Sequence, residues 1–582
     1  MNQEQLAHAR HTLAHLLAQA VKDQYPQAKL TLGPAVDNGF YYDIDFGADK
    51  ISDENLKDLQ KSMRKNLSKW TAFTHREVSP EEARTVFTGN EYKLELIEEI
   101  VERGEKITLY TCGGFEDLCR GGHAENPSQE ISADAFKLER VAGAYWRGDE
   151  KNKMLTRIYG LAFHTKAELD AYIAQQEEAK KRDHRKLGKE LGLFVFSELV
   201  GPGLPLWTPR GTLIREALND YVWSLRKERG YEKVTIPHIT KKELYETSGH
   251  WAKYADDLFK IHTREDHLFA MKPMNCPHHT QIFDSELRSY RDMPQRYAET
   301  TMVYRDEQSG ELSGLSRVLS ITQDDAHVFC REVQIEQEAL AIWDIIETFY
   351  NTFGFKLQVR FSRHDPATPE KYLGGAEVWK KAEDALQKLM ESRNVTWIDG
   401  IGEAAFYGPK IDFISRDSIG RVLQVATIQL DFNQPKNFKL TCINEKGEKE
   451  QVVMIHAAIM GSIERFMSTL IEHLAGNFPV WLSPTQVVIV PIKDVHEEYA
   501  NKVYAMLKAK NIRVKLDDGK DSMGKRIREA KNMKTPYVIV IGDKERDANV
   551  LTVETRTEKL ENISPEDFAL RLEKEIQERT LN

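Results

Sequence analysis

Tyr297-Ala-Glu-Thr-Thr-Met-Val-Tyr304-Arg-Asp-Glu307, a polar glycine-containing loop to Ser316, and then Arg317-Val-Leu-Ser-Ile321 decide the fold class. Both flanks are rich in β-branched and aromatic residues, so the pattern predicts an antiparallel strand pair with a long connection. Arg305 and Glu307 fall at the start of the loop and Arg317 at its far side. Arginine meets phosphate oxygens bidentately and stays charged. Glu307 repels phosphate but can accept from an amino group. A single arginine is more often a surface or ion-pair residue; the set points to a nucleoside triphosphate.

Working outward, Arg421 to Phe432 is another strand candidate. From Ser462 a helix follows, with Ile463, Phe466, Met467, Leu470, Ile471 and Leu474 on one stripe and Gly476 ending it. Arg465 lies one turn into this helix, where backbone N–H groups already favour anions. Three segments nearby each carry a metal-ligand residue: Cys276 in Lys272-Pro-Met-Asn-Cys-Pro277, His327 in Thr322-Gln-Asp-Asp-Ala-His327, and His456 in Ile455-His-Ala-Ala-Ile-Met-Gly-Ser-Ile-Glu-Arg465. A Cys-His-His set leaves zinc one ligand short, as in catalytic sites. Against this, a lone buried histidine or cysteine is usually packing, and the long separations along the chain carry no ligand-spacing signal.

The chain of 582 residues is long enough for several domains. A net charge of -10 does not predict a nucleic-acid binder, yet local basic patches suffice for one. Five cysteines, an odd and sparse number for this length, argue against a disulfide framework and for a reducing compartment. The amino terminus has no basic-then-apolar signal pattern, and apolar runs such as Tyr537 to Ile541 are far too short to span a bilayer. The expectation is a cytoplasmic enzyme without a membrane segment.

Four parts are expected: 1–163, 164–189, 190–483 and 484–582. The first opens with a helix from Gln3 to Lys22 whose Leu6, Ala9, Leu13, Leu16, Leu17 and Ala20 share one face, with His11 and His15 on the opposite one. Asp37-Asn-Gly-Phe-Tyr-Tyr-Asp43 suggests a hairpin. The charged second part, ending Lys180-Lys-Arg-Asp-His-Arg-Lys-Leu-Gly-Lys189, reads as an exposed linking helix. The last part alternates helices with apolar strands at Val487–Ile492, Ile512–Leu516 and Tyr537–Ile541, implying a small α/β domain.

Together these segments resemble a known family. Tyr231-Glu-Lys-Val-Thr-Ile-Pro-His-Ile239, with Pro237, resembles motif 1 of class II aminoacyl-tRNA synthetases; Tyr304-Arg-Asp-Glu307 resembles motif 2 and Gly461-Ser-Ile-Glu-Arg465 motif 3. The three ligand-bearing segments resemble those of threonyl-tRNA synthetases, and the similarity spans essentially the whole chain. The resemblance implies a multidomain α+β protein: an amino-terminal α+β editing domain, a class II antiparallel-sheet catalytic core, and a carboxy-terminal α/β anticodon-binding domain. It implies partners L-threonine, ATP and tRNA(Thr), one zinc per subunit, magnesium with the ATP, and a homodimer built through motif 1.

Under this resemblance Cys276, His327 and His456 hold zinc. Arg305, Gln323 and Arg465 are catalytic, and they bind ATP with Glu307, Arg317 and Gln429. Asp325 pairs with the substrate ammonium, and Tyr407, Lys410, Gln424, Thr427 and Ser462 complete the threonine pocket. Valine, nearly isosteric with threonine, has no hydroxyl and is rejected strongly by a site built around that oxygen. Serine keeps the hydroxyl, and one missing methyl group gives only about 1–3 kcal/mol of discrimination. A second, hydrolytic site is therefore expected, and His11, His15, Cys119 and His123, with Lys93 and Asp117, resemble the editing domain shared by threonyl- and alanyl-tRNA synthetases. Whether that cluster takes a metal is left open by the residues.

Three departures stand out. Bacterial members usually begin with a small additional domain, whereas this chain starts at the editing helix. Leu319-Ser-Ile321 replaces the family's Arg-Gly-Phe, so adenine would pack on aliphatic groups. Glu554 replaces a frequent arginine in the last domain, where Glu545 matches an anticodon-reading position and Lys525, Arg526, Arg528, Lys531 and Lys534 could contact a backbone. Rival readings are a non-catalytic tRNA-binding paralogue and a stand-alone deacylase; the retained arginines and ligands oppose the first, and the full adenylation core opposes the second.

Overall fold

The computed structural model describes residues 2–417 and 420–581, which divide into two compact units, Met1–Glu177 and Glu178–Asn582.

In the first unit the opening helix runs Gln3–Gln24, started by a capping box in which Asn2 and Gln5 exchange side-chain-to-backbone bonds of 2.8 Å. The leucine stripe is buried as expected, but so are Thr12 and His15 on the other side. The helix packs on the helix Leu56–Leu67 and on the strand Gly39–Asp45, so little of its circumference meets solvent. The hairpin forms with Asp37 and Asn38 as the turn, Asn38 taking φ +65°, and Gly39 already in the strand. A glycine is required at 39 because a Cβ there would strike the Gly160 carbonyl of the next strand.

The segment read as one exposed linking helix is two helices, Lys166–Arg182 and His184–Glu190. The break falls at Asp183, whose side chain accepts from the Arg185 N–H at 2.8 Å and caps the second helix. His184 and Leu187 are buried, so this second helix is part of the fold of its unit rather than a solvated face.

The second unit is built on an eight-stranded sheet. Its strand order is Glu232–Lys233, Gln295–Tyr304, Ser320–Cys330, Val453–Ser462, Val422–Asp431, Lys410–Arg416, Leu357–Arg363 and Trp397–Ile401. Only the two outermost pairings are parallel. The predicted hairpin is the second and third strands of this order, with Tyr304 opposite Ser320. The second strand begins at Ser320 rather than Arg317, because Arg317 closes a tight turn back to Ser313 and the Leu319 N–H donates to the Gly203 carbonyl.

Strand alternation sorts the residues of this sheet. Ala326, Val328 and Cys330, with Ile455 and Ala457, join the large core that also takes in the helices Pro209–Glu228, Ile335–Asn351 and Ile463–His473. Phe329 and Met454 have the opposite parity and pack with Cys276 in a separate cluster. His327 and His456 share that second parity, so both leave the large core and face the side where Cys276 lies.

A buried ion pair locks the sheet centre. Asp324, wholly inaccessible to solvent, accepts from Arg226 and from the Ile459 and Met460 N–H groups at 3.0 and 2.9 Å. Removing one partner of such a pair strands the other charge in the interior. Asp324→Ala is expected to destabilise this unit by about 3–5 kcal/mol, read from urea unfolding followed by tryptophan fluorescence, since seven of the nine tryptophans lie in this unit. A change below about 1 kcal/mol, the scale of an exposed pair, would count against this assignment.

The carboxy-terminal strands Val514–Leu516, Val487–Pro491 and Tyr537–Ile541 run parallel, as the apolar runs predict. Two antiparallel strands, Leu551–Glu554 and Lys559–Ile563, extend the same sheet. Val487, Ile489, Ile539, Leu551 and Phe568 give this region its own core.

Candidate active site

His327 and His456 stand directly opposite one another on neighbouring strands, and Gln429 opposes His456 from the next. Cys276 is the first residue of the helix Cys276–Asp284, with Pro277 in its first turn, where no backbone donor is needed. The three ligand atoms lie within 4.8 Å of one another. His327 Nε2 and His456 Nδ1 face each other at 3.1 Å. Their outer nitrogens are held from behind, His456 Nε2 by Asp431 at 3.0 Å and His327 Nδ1 by His279 at 2.8 Å. Gln434 spans the Asp431 carboxylate and the Cys276 sulfur. Burial pushes the Cys276 thiol well up and His327 well down from their ordinary values. Two inward imidazole nitrogens and a buried sulfur, each supported from behind, are a donor set that fits zinc with one position left open.

A pocket of about 180 Å³ adjoins the triad, lined also by Asp325, Tyr407, Thr427 and Gln429. Asp325 accepts from Asn275 at 3.0 Å. This pocket shares Arg305, Gln323 and Thr427 with a larger cleft of about 790 Å³ that holds Arg317, Ser462 and Arg465. Among the described residues Arg305 Nε is buried without a hydrogen-bond partner, a donor left for something in the cleft. Arg317 is held by Glu307 at 2.6 Å and Glu311 at 2.9 Å, so the Glu307 carboxylate is engaged by an arginine. Ser462 caps the helix Ile463–His473 by accepting from the Arg465 N–H at 3.2 Å, which sets Arg465 in its first turn. Of the aliphatic pair Leu319 and Ile321, Ile321 lines the cleft beside Val318, and Leu319 is not among its lining residues.

Lys410 and Gln424, predicted for the threonine pocket, converge instead on Asp412, at 3.0 and 2.8 Å. Thr427, Ser362 and Arg360 bind the same wholly buried carboxylate. Gln424 lines the larger cleft and Thr427 both cavities. Gln429, predicted on the ATP side, lines the small pocket and donates to the Gly408 carbonyl at 2.9 Å. Sequence reasoning missed Asp412, Asp431 and His279. The available signal was a lone carboxylate in an otherwise apolar strand, as in Lys410-Ile-Asp-Phe-Ile414.

The first unit carries a second cluster, beside a pocket of about 350 Å³. His11 Nε2 lies 3.2 Å from His15 Nε2 and 3.5 Å from Cys119 Sγ, which is 3.4 Å from His123 Nε2. Behind His15, Asp117 lies 3.3 Å from Nδ1 and is bound by Lys93 at 2.6 Å and by the Tyr42 hydroxyl at 2.7 Å. Phe73 stacks on His123 at 3.9 Å. Burial opposes charge on both His15 and Cys119, but their partners outweigh it: Asp117 and Cys119 push His15 up to about 9, and the three histidines pull Cys119 down to about 3. These four donors could hold a metal with no open position, or work without one. Tyr42 had no sequence signal.

In the carboxy-terminal region Glu545 is mostly buried and accepts from the Gly542 N–H at 2.9 Å and the Thr552 hydroxyl at 2.7 Å, closing the start of its own helix. Glu554 pairs with Lys531 at 2.7 Å, Lys525 binds Asp521, and Arg526 is buried against Asp517.

Three family descriptions match the chain: "tRNA synthetase class II core domain (G, H, P, S and T)" over residues 259–474, "Anticodon binding domain" over 486–575, and "Threonyl and Alanyl tRNA synthetase second additional domain" over 107–159. The threonine–tRNA ligase of Thermotoga maritima is 46% identical over 575 residues, covering 98% of this chain and 88% of that one. The threonine–tRNA ligase of Rubrobacter xylanophilus is 47% identical over 94% of this chain and 85% of its own. Among solved structures, the RNA binding domain of threonyl-tRNA synthetase from Cryptosporidium parvum matches with TM-score 0.64 and 34% identity, over 69% of this chain and 99% of that one. A Giardia lamblia prolyl-tRNA synthetase, 16% identical with TM-score 0.55 over 70% of this chain and 82% of its own, shares the fold. With the antiparallel core, the arginine cleft and the Cys-His-His pocket on one sheet, and near-full-length identity to these ligases, the chain belongs to the threonine–tRNA ligase family.

Proposed function

We propose that the protein joins L-threonine to tRNA(Thr) in two steps at the sheet site and hydrolyses seryl-tRNA(Thr) in its first unit. The observation that carries this reading is the adjacency of the two cavities: a small Cys-His-His pocket shares Arg305, Gln323 and Thr427 with a cleft that holds three further arginines. Cys276, His327 and His456 would hold zinc, one per subunit, which when bound supplies a Lewis-acidic centre able to ligate an amine and a hydroxyl. Asp325 pairs with the threonine ammonium, and Tyr407 and Gln429 close the pocket around its side chain. Arg305, Arg317 and Arg465 bind the triphosphate of magnesium-ATP, with Gln323 against the α-phosphate. The threonine carboxylate then attacks the α-phosphorus and pyrophosphate leaves. Catalysis here is positioning and charge stabilisation. The terminal ribose hydroxyl of the tRNA attacks the adenylate carbonyl, and AMP departs.

Residues 1–163 are assigned to editing, 164–189 to a linker, 190–483 to catalysis and 484–582 to anticodon binding near Glu545. The protein is proposed to act as a cytoplasmic homodimer; no described helix is long and apolar enough to cross a membrane.

Threonine-dependent ATP–pyrophosphate exchange tests the reading. Exchange is expected with threonine, lost on chelation and restored by zinc; an intact protein that gives none rejects it. The outer carboxylate offers a graded test. Asp431→Asn is expected to lower zinc affinity by about 10–100-fold, measured by competition with a chromogenic chelator, and an unchanged affinity counts against Asp431 as the support of His456.

A further inference from the structure

His184 lies outside every motif that the ligase reading uses, yet it bonds to two segments that line the arginine cleft. The ring is buried. Its Nε2 accepts from the Leu315 N–H at 3.0 Å, and its Nδ1 lies 2.6 Å from Glu472 Oε1, which also accepts from the His184 N–H at 3.0 Å. Because Nε2 accepts a backbone N–H, the ring proton sits on Nδ1 and points to Glu472. The donor atoms of Asp183, His184 and Glu472 lie close enough for a metal, but both ring nitrogens are occupied, which makes the ring a relay.

Each end of this relay reaches the cleft. Leu315, its side chain wholly buried, is the tip of the turn in which Ser313 and Arg317 exchange backbone bonds. The next two residues, Ser316 and Arg317, line the cleft, and Ser316 is tied to Ser468 at 3.2 Å. At the other end Glu472 binds Arg421, which Asp417 also holds at 2.7 Å and which lines the same cleft. Gly314 seats the turn on the ring: it takes φ +51°, and a Cβ there would collide with His184 Nε2.

We propose that His184 is a positioning residue for ATP: through Leu315 it fixes the turn that carries Arg317, and through Glu472 it fixes Arg421. This rests on the adenylation reading of the cleft. Without the imidazole, the Leu315 N–H is buried unpaired and Glu472 keeps only the backbone N–H of residue 184, so the turn no longer presents Arg317 in one place.

The test is pyrophosphate exchange with ATP and threonine varied separately. His184→Ala is expected to raise the KM for ATP about tenfold, the scale of one lost buried hydrogen bond, and to leave the KM for threonine within about twofold. His184→Gln, whose amide can accept from Leu315 and donate to Glu472, is expected to recover most of the loss. Gly314→Ala perturbs the same contact from the loop side and is expected to shift the ATP value in the same direction. ATP values within about twofold of the unmodified protein in both His184→Ala and Gly314→Ala overturn the proposal, as do equal rises for ATP and threonine. If the unmodified protein gives no exchange, the adenylation reading fails, and the His184 proposal is decided by calorimetric ATP binding with the same ratios.

Discussion

Cys276→Ala is expected to leave the protein folded and to lose both its zinc and threonine-dependent pyrophosphate exchange. The side chain is small and buried at the start of a helix, so truncation to alanine removes one sulfur atom's worth of packing. What it removes is the only sulfur in a set of three donors whose other two face one another across adjacent strands. Two imidazoles alone hold zinc weakly, and the substrate then lacks a fixed point to bind against. Misplacement of reacting groups by about 1 Å costs on the order of 10²-fold, and loss of the anchor is expected to cost at least that. Metal analysis should fall from one zinc per chain to nearly none, and exchange should fall with it. Retained exchange in a zinc-free Cys276→Ala protein would show that threonine is recognised by other means.

His15→Ala is expected to separate the two activities. The residue sits in the first unit with Asp117 and Lys93 behind it and His11 and Cys119 before it. None of these residues belongs to the sheet site, so threonine activation should be unchanged. Clearance of seryl-tRNA(Thr) should fall by about 10²–10⁴-fold, the range supplied by a positioned acid or base. The measurement is deacylation of preformed seryl-tRNA, alongside serine accumulation on tRNA in the presence of ATP. Unchanged clearance would remove this cluster from the editing reaction. The neighbouring Tyr42–Asp117 contact sharpens the assignment: Tyr42→Phe keeps the ring in its core and is expected to have a much smaller effect than His15→Ala.

The sheet site was legible wherever periodicity and chemistry coincided. The hairpin from Tyr297, the capped helix after Ser462 and the parallel apolar strands of the last region follow from local pattern, and all are present. His327 and His456 were recognisable as ligand types, but their opposition depends on a register between strands more than a hundred residues apart, which no local signal encodes. The supports behind them were harder still. Asp431, His279 and Asp412 act only once distant elements bring them to a partner, and no local pattern in the sequence marks that partner.

Where local reading misled, packing from other elements was the cause. The Gln3–Gln24 helix has a correct apolar stripe, yet His15 is buried because other elements close over its second side. The charged run through residue 189 looked uniformly solvated, but a single capping aspartate at 183 ends one helix and turns His184 inward. Glu307, read as able to accept from an amino group, is engaged by Arg317.

The central claim is that Cys276, His327 and His456 present one zinc to threonine beside the ATP cleft. It is tested most directly by diffraction from crystals grown with threonine, recorded on both sides of the zinc absorption edge. The account predicts one anomalous peak per chain among Cys276 Sγ, His327 Nε2 and His456 Nδ1, with the threonine amino and hydroxyl groups completing its coordination. Threonine bound in the small pocket with no anomalous peak there would contradict it.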